Sequence, residues 1–414
     1  MFSKQDMTLK NAIAGLQMLF VAFGALVLMP LITGLDPSVA LFTAGIGTLA
    51  FHFITKNKVP IFLASSFAFA APITFSVQTF GTAQTMGALF AAGVVYMLLA
   101  IAVKFKGTGF LQKLLPPVVV APIIMVIGLS LAPVAVNMAM GKAGDGSAQL
   151  FPYEQALIVS MASLFTTLAV ASLGKGLFRL VPIIAGVIVG YIVAYALGMV
   201  NTSVVSQADW FAVPNFIMPE FSLPAILFMI PVAIAPAIEH VGDLLAISNV
   251  TGKDYFKKPG LHRTLFGDGI ATSLASMFGG PPNTTYSEVT GAVMFTKMFN
   301  PVIMIFAAIA AIGLAFIGKF GVSLQTIPAP VMGGILTLLF GSIASVGMNL
   351  LVKDQVDLSI QRNLIIVSTT LVFGIGGMMF GSGEWSLQGI SLCGVVAIIL
   401  NLVLPKEPVE TSSH

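Results

Sequence analysis

The chain has 414 residues, of which 57% are hydrophobic and only 8% charged, whereas roughly a quarter of residues are charged in soluble domains. A soluble globular protein is therefore excluded, and a net charge of +3 gives no support to nucleic-acid binding. The single cysteine, Cys393, excludes an intramolecular disulfide and a cysteine metal cluster, and neither a metal nor a cofactor is expected.

Apolar runs of about 17 to 25 residues, the length a helix needs to cross roughly 30 Å of hydrocarbon, recur with short polar joints between them. The first, from Asn11 to about Thr33, is too long for a signal-peptide core and is read as a retained span. Fourteen segments follow in order, centred near residues 22, 46, 68, 92, 127, 164, 190, 236, 270, 290, 310, 338, 371 and 395. With the N-terminus inside, seventeen of the nineteen Lys and Arg fall on the inner side, from Lys4 and Lys10 through Lys253, Lys257, Lys258 and Arg263 to Lys406. Only Lys142 and Lys319 fall outside. A miscounted segment would scramble every later joint, so the pattern predicts an all-α polytopic protein of the inner (plasma) membrane with both termini cytoplasmic.

The two halves resemble each other. "FGALVL" at 23 to 28 matches "VGDLLA" at 241 to 246, and Ser65-Ser66 matches Asn283-Thr284-Thr285, at an offset of about 218. Pro117-Val118 with Gly128 matches Pro330-Val331 with Gly341 at an offset of 213. Seven segments per repeat is an odd number, so the second repeat enters from the opposite side, as in inverted-repeat transporters built around a midplane site.

The third and tenth segments, "KVPIFLASSFAFAAPI" and "GGPPNTTYSEVTGAVMF", mix Pro, Gly and β-favouring residues where a helix should pass. They read as broken spans, each an extended piece followed by a half-helix starting near Ser66 or Ser287. Such starts leave backbone N–H groups at mid-membrane depth that protein or ligand must satisfy. The eighth segment, about Ser222 to Val250, carries Glu239, His240 and Asp243. Glu239 and Asp243 are four apart and share a face, while His240 lies about 100° from Glu239 and reads as a packed histidine. A carboxylate at this depth costs at least about 2.5 to 3.5 kcal/mol and is a functional residue by default. Asp268, near the cytoplasmic end of the ninth segment, reads as an interfacial cap. Glu288 opens the tenth segment's half-helix, where the helix start favours negative charge. Donors from two half-helix starts, facing acceptors on Glu239 and Glu288, suit a small planar molecule with alternating carbonyl and N–H groups, with Phe67 and Tyr286 to cover its faces. A nucleobase such as uracil or xanthine fits this inventory, and a neutral amide fits nearly as well.

"SSFAF", "EHVG", "PNTTYSE", the T-G-x4-T-K run from Thr290 to Lys297 and "IPAPVMGG" from Ile327 together resemble the nucleobase/ascorbate transporter family, most closely its bacterial uracil permease branch. The resemblance spans essentially the whole chain. It implies a core domain (1–115 with segments 1 to 4, and 222–319 with segments 8 to 11) and a gate domain (116–221 with segments 5 to 7, and 320–405 with segments 12 to 14), followed by a cytoplasmic tail, 406–414. It further implies short strands in segments 3 and 10, proton symport and a homodimer through gate domains. By position, Glu239 and Glu288 would bond the base, amides near Phe67 and Ser287 would donate to its carbonyls, and Ala25, Phe67, Tyr286 and Phe340 would line the pocket. Glu239, Asp243 and His240 would serve proton coupling. Uracil is the expected substrate. Asp243 resembles the purine-transporting branch, which keeps xanthine as the alternative.

Two other classes are weighed against this reading. A sulfate-permease-type anion carrier would leave its half-helix starts free of carboxylates and supply a basic group, which Glu288 opposes. An enzyme would need a nucleophile or metal constellation that the sequence lacks.

Overall fold

In the computed structural model, described for residues 8–405 apart from 108, 110–112, 114, 383 and 384, helix follows helix wherever the apolar runs are long enough. Lys4, Lys406 and the tail assigned to 406–414 lie outside the described residues. Helix α1 spans Leu9–Thr33, with the Thr8 hydroxyl accepting from the Asn11 amide at 3.2 Å, and stops at Gly34, whose φ of 74° ends the helix without a Cβ penalty. Helix α2 (Pro37–Ile54) starts on Asp36, which accepts from the Ser38 amide at 2.8 Å, with Pro37 at its first position.

Strand β1 (Leu63–Ser65) and a 3-10 turn at Phe67–Phe69 lead into α3 (Ala70–Phe80) and α4 (Thr82–Lys106). Next come α5 (Pro117–Ala139), α6 (Tyr153–Leu173), α7 (Pro182–Ala196) and the short α8 (Ser203–Gln207). Helix α9 (Leu223–Met229) continues through a 3-10 turn holding Pro231 into α10 (Ile234–Thr251). Helix α11 (Leu261–Met277), strand β2 (Asn283–Thr285), α12 (Ser287–Thr296), α13 (Val302–Ala315), α14 (Gly318–Gln325) and α15 (Ala329–Lys353) follow. The chain closes with α16 (Gln361–Ile375), the hairpin β3 (Met379–Ser382) and β4 (Trp385–Gln388), and α17 (Gly389–Val403).

Seven of the helices, counting α9–α10 as one, are long and apolar enough to cross a membrane, and five shorter apolar helices accompany them. The molecule is a multi-pass membrane protein.

Related elements pack in related ways. Helix α5 lies along α15, α4 along α11, and α2 along α13. These contacts are close because glycines bring backbones together: a Cβ on Gly269 would sit 2.7 Å from the Gly93 carbonyl. The repeat is not symmetric in packing, since Gly128 of α5 meets the Phe340 backbone of α15 while Gly341 of α15 faces open space.

The connector from 206 to 221 behaves as a strap. Its backbone bonds the outer ends of four helices or their connections: Ala212 to the Phe316 carbonyl (3.0 Å), Ile217 to Phe278 (3.3 Å), Glu220 to Ala83 (2.9 Å) and Asn215 to the Asp36 carboxylate (3.4 Å). Phe216 enters a cage with Phe42 and Phe278, at centroid distances of 5.0 and 5.5 Å.

Candidate functional site

At the centre of the fold β1 and β2 form a two-stranded antiparallel ribbon, with Leu63 opposite Thr285 and Ser65 opposite Asn283. A three-residue ribbon in apolar surroundings has outer edges that must be bonded, because each unsatisfied backbone group there costs several kcal/mol. Threonines do this. Thr48 of α2 accepts from the Leu63 amide at 3.0 Å and donates to the Leu63 carbonyl at 3.4 Å, while Thr272 of α11 donates to the Asn283 carbonyl at 2.7 Å. The Asn283 side-chain amide donates to the Thr43 carbonyl at 2.8 Å, and the Ser66 amide to Pro282 at 2.9 Å.

Because the strands run in opposite directions, the helical turns that follow them begin at opposite ends of the ribbon, roughly 10 Å apart at about 3.4 Å per residue. The turn at Phe67 starts on Ser66 and α12 starts on Tyr286, both in extended conformation and neither with a side-chain cap. The first N–H groups of each, at Phe67 and Ser287, therefore have no intrahelical partner and no side-chain cap. The expected start near Ser66 is a 3-10 turn that becomes α-helical only at Ala70.

Acidic groups gather around this ribbon. Glu239 on α10 and Glu288 in the first turn of α12 are both accessible, and the accessible strip on α10 continues through Gly242, Leu245 and Asn249 toward its C-terminus. Behind them His240 and Asp243 are buried, at 0% and 3% exposure. Thr285 at the end of β2 donates its hydroxyl to Asp243 at 2.8 Å and lies 3.3 Å from His240 Nδ1. Asp268 on α11 accepts from the Thr284 hydroxyl at 3.2 Å, with its Oδ2 3.7 Å from His240 Nδ1.

The structure thus brings His240, which its helical azimuth separates from Glu239, into one chain with Asp243 and Asp268 through two threonines of β2. Asp268 corrects its sequence reading. It is fully buried, not an interfacial cap, because α11 folds back along β2 and places it beside Thr284. Glu239 is within electrostatic range of Asp243, Glu288 and Asp268. Among the described residues no group of three metal-ligating side chains has the arrangement of a metal site.

Apolar walls complete the site. The Phe67 ring meets Phe340 of α15 edge-on, with centroids 6.2 Å apart, so residues 273 positions apart touch. Tyr286 is 7% exposed beside Glu288, and α1, which carries the fully buried Ala25, packs against both β1 and α12. Ala25, Glu239, His240, Asp243, Tyr286, Ser287 and Glu288 lie on elements that pack against the ribbon or continue from it, while Phe340 comes from α15 and touches Phe67 in the turn that follows β1. Thr284 and Thr285 stand out in the sequence only as part of the repeated polar patch, and Thr48 and Thr272 not at all; the signal the latter two give is their placement, in α2 and α11 at similar places in the two halves.

A family model described as "Permease family" matches residues 9–383. The probable uracil permease of Pasteurella multocida is 60% identical over 397 residues, covering 96% of this chain and 94% of that protein. The uracil permease of Bacillus caldolyticus is 44% identical over 95% of this chain and 91% of its own length, and that of Escherichia coli K12 is 39% identical over 97% and 92%. In fold the chain is similar to the transmembrane domain of the cyanobacterial bicarbonate transporter BicA (TM-score 0.63, 16% identity, covering 95% of this chain and 96% of that one). It is also similar to the murine anion transporter Slc26a9 in its inward-facing state (TM-score 0.73, 11% identity, 97% and 69%).

Proposed function

Because the chain belongs to the permease family, we propose that it imports a nucleobase, uracil before xanthine, by proton symport with alternating access of a core domain against a gate domain. The observation that carries this reading is the pairing of two accessible carboxylates, Glu239 and Glu288, with two uncapped helix starts across the ribbon. The starts donate to the two carbonyls of the base, and the carboxylates accept from its ring N–H groups. Phe67, Tyr286, Ala25 and Phe340 close the apolar walls. The names of the relatives support uracil. The fold they share with anion transporters says nothing of the substrate, and a carboxylate in the first turn of α12 disfavours an anion there.

In this reading fourteen segments form two inverted repeats across the inner membrane, with both termini cytoplasmic and segments 3 and 10 broken by β1 and β2. The core domain comprises 1–115 and 222–319, and the gate domain 116–221 and 320–405, except that the strap, bonded to core elements, travels with the core. The accessible strip from Glu239 to Asn249 then opens toward the cytoplasm. Glu239 takes the coupling proton, with Asp243 and His240 in support. A proton falling through about 150 mV supplies roughly 3.5 kcal/mol, enough for a few-hundredfold accumulation of a neutral base. A homodimer forms through the gate domains, for which α15 offers an open, largely apolar groove lined by Leu338, Gly341, Ser342, Ser345, Val346 and Asn349.

Radiolabelled uracil and xanthine uptake into proteoliposomes, with proton and sodium gradients imposed separately, tests the proposal. Uracil accumulation driven by an inward proton gradient is the expected result. Accumulation that needs sodium and ignores the proton gradient would overturn the coupling, and uptake of xanthine without uracil would overturn the substrate.

A further inference from the structure

Around the ribbon, three polar atoms are buried with no hydrogen-bond partner among the described residues: the Tyr96 hydroxyl of α4, His240 Nε2 of α10 and Asp268 Oδ1 of α11. Tyr96, His240 and Asp268 are each 0% exposed. A buried donor or acceptor left unpaired costs about 1 to 3 kcal/mol, so three together are a heavy penalty unless something bonds them.

Their placement is built by packing. Helices α4 and α11 touch backbone to backbone at Gly93 and Gly269, which sets Tyr96, one turn beyond Gly93, beside Asp268, the neighbour of Gly269. The Tyr96 hydroxyl is within electrostatic range of both Asp268 and Glu239. His240 approaches Asp268 from α10 at 3.7 Å. The second carboxylate oxygen of Asp268 is held by Thr284, so only Oδ1 is free to turn toward α4.

We infer that Tyr96 and Asp268 share a buried water site behind β2, and that Tyr96 is a positioning residue which, through this water, holds the Asp268 carboxyl whose Oδ2 faces His240 Nδ1. A phenol and a carboxyl together supply both a donor and acceptors, and a buried water typically makes about three hydrogen bonds to groups that would otherwise lack a partner. The water is linked to the transport site by a short chain: Asp268 to His240, His240 to Thr285, and Thr285 to Asp243 on the helix of Glu239. Asp268 is faced by His240 and, within electrostatic range, by the carboxylates Asp243 and Glu239 from α10, by Thr284 and Thr285 from β2 and by Tyr96 from α4, while α2 presents the apolar Phe51 against Gly267. A proton exchanged at Asp243 or Glu239 therefore changes the field at Asp268, and the Tyr96 water sets how Asp268 responds. This role rests on the proton-symport reading, whereas the water site does not.

Tyr96→Phe in the full-length protein removes one oxygen and leaves the ring packing intact. The first measurement is thermal unfolding without substrate. An orphaned hydroxyl would be better removed, so Tm would hold or rise, whereas a hydroxyl bonded through water is missed and Tm should fall by about 1 to 3 °C. A Tm equal to or above that of the unmodified chain overturns the water site. The second measurement is the pH profile of uracil uptake beside proton-independent counterflow. Tyr96→Phe should retain counterflow within about twofold and displace the half-maximal pH of uptake, and the same displacement should appear in Asp268→Asn with no further change in the double variant. A Tyr96→Phe profile superimposable on that of the unmodified chain, or additive displacements, overturns the positioning role. Should the unmodified chain not take up uracil at all, the transport reading fails, and the Tm comparison still decides the water site.

Discussion

Replacing Glu288 by Gln tests the site most directly, because it deletes one charge and keeps the shape. Glu288 stands in the first turn of α12, accessible, next to an extended Tyr286 that provides no side-chain cap. A hydrogen bond from a ring N–H to a carboxylate contributes about 1.5 to 3 kcal/mol, against about 0.5 to 1.5 kcal/mol for a neutral acceptor. Gln can still accept, so between the midpoints of these ranges the loss is about 1.2 kcal/mol, or roughly eightfold in Kd, and where the amide turns its NH2 toward the ring it is about a hundredfold. The fold itself loses only the favourable charge at a helix start, about 0.3 to 1 kcal/mol, which moves Tm by a few degrees at most. Isothermal titration of the purified variant with uracil gives Kd, and a melting curve on the same sample shows whether it is folded. A Kd within about twofold of the unmodified chain, with Tm preserved, would remove Glu288 from the site and with it the donor and acceptor scheme.

Other perturbations follow from the same geometry. Thr48→Val leaves both the amide and the carbonyl of Leu63 without their bonds, so thermal stability should fall by the equivalent of about 2 to 4 kcal/mol and uracil binding should weaken with it; an unchanged Tm would show that the ribbon edge has other partners. Phe216→Ala removes the ring held by Phe42 and Phe278, for an expected loss of about 3 kcal/mol at the strap, read as faster proteolysis between 206 and 221. Gly341→Leu should leave the monomer folded, since a Cβ there meets nothing within 4 Å, yet shift the dimer to monomer in light scattering. A cysteine placed in the strap should react with impermeant reagents from outside intact cells; labelling that requires opening of the inner face would overturn the segment count.

Much of this was legible because the bilayer reduces the choices. Apolar length alone marks α1, α4 and α15, and a proline- and glycine-rich stretch inside an apolar run marks the places where β1 and β2 interrupt helices. Glu239 and Glu288 stood out because carboxylates are costly where the surrounding residues are apolar. Asp268 was misread because its distance from Arg263 places it near an interface, and only the fold shows that α11 runs beside β2 and buries it. The strap carries Asp209, Trp210 and Glu220 and has no apolar run to announce its packing; the cage around Phe216 is made from residues up to 174 positions away and has no local signature. The hairpin β3–β4 was likewise unseen, its strands being only four residues each and β3 exposed throughout.

The grading of exposure around the ribbon gives the buried chain a purpose. Glu239 and Glu288 reach the cleft, whereas Asp243, His240 and Asp268 are shielded from it by the two threonines of β2. A ligand that donates to the first pair must strip their water, and a carboxylate deprived of water and lacking a cation prefers to become neutral. Linkage then requires the converse: a proton on this group strengthens the binding of a ligand that fits the neutral form. The Thr285 hydroxyl can donate to only one acceptor at a time, and it now serves Asp243 while standing 3.3 Å from His240 Nδ1. Protonating Asp243 weakens that bond and frees the hydroxyl to turn to His240, which is itself opposite Asp268. Two alternative hydrogen-bond arrangements are thus available to β2, the strand that leads into Ser287 and Glu288, so that under the proposed symport a proton exchanged behind the ribbon and a base bound in front of it would act on the same strand.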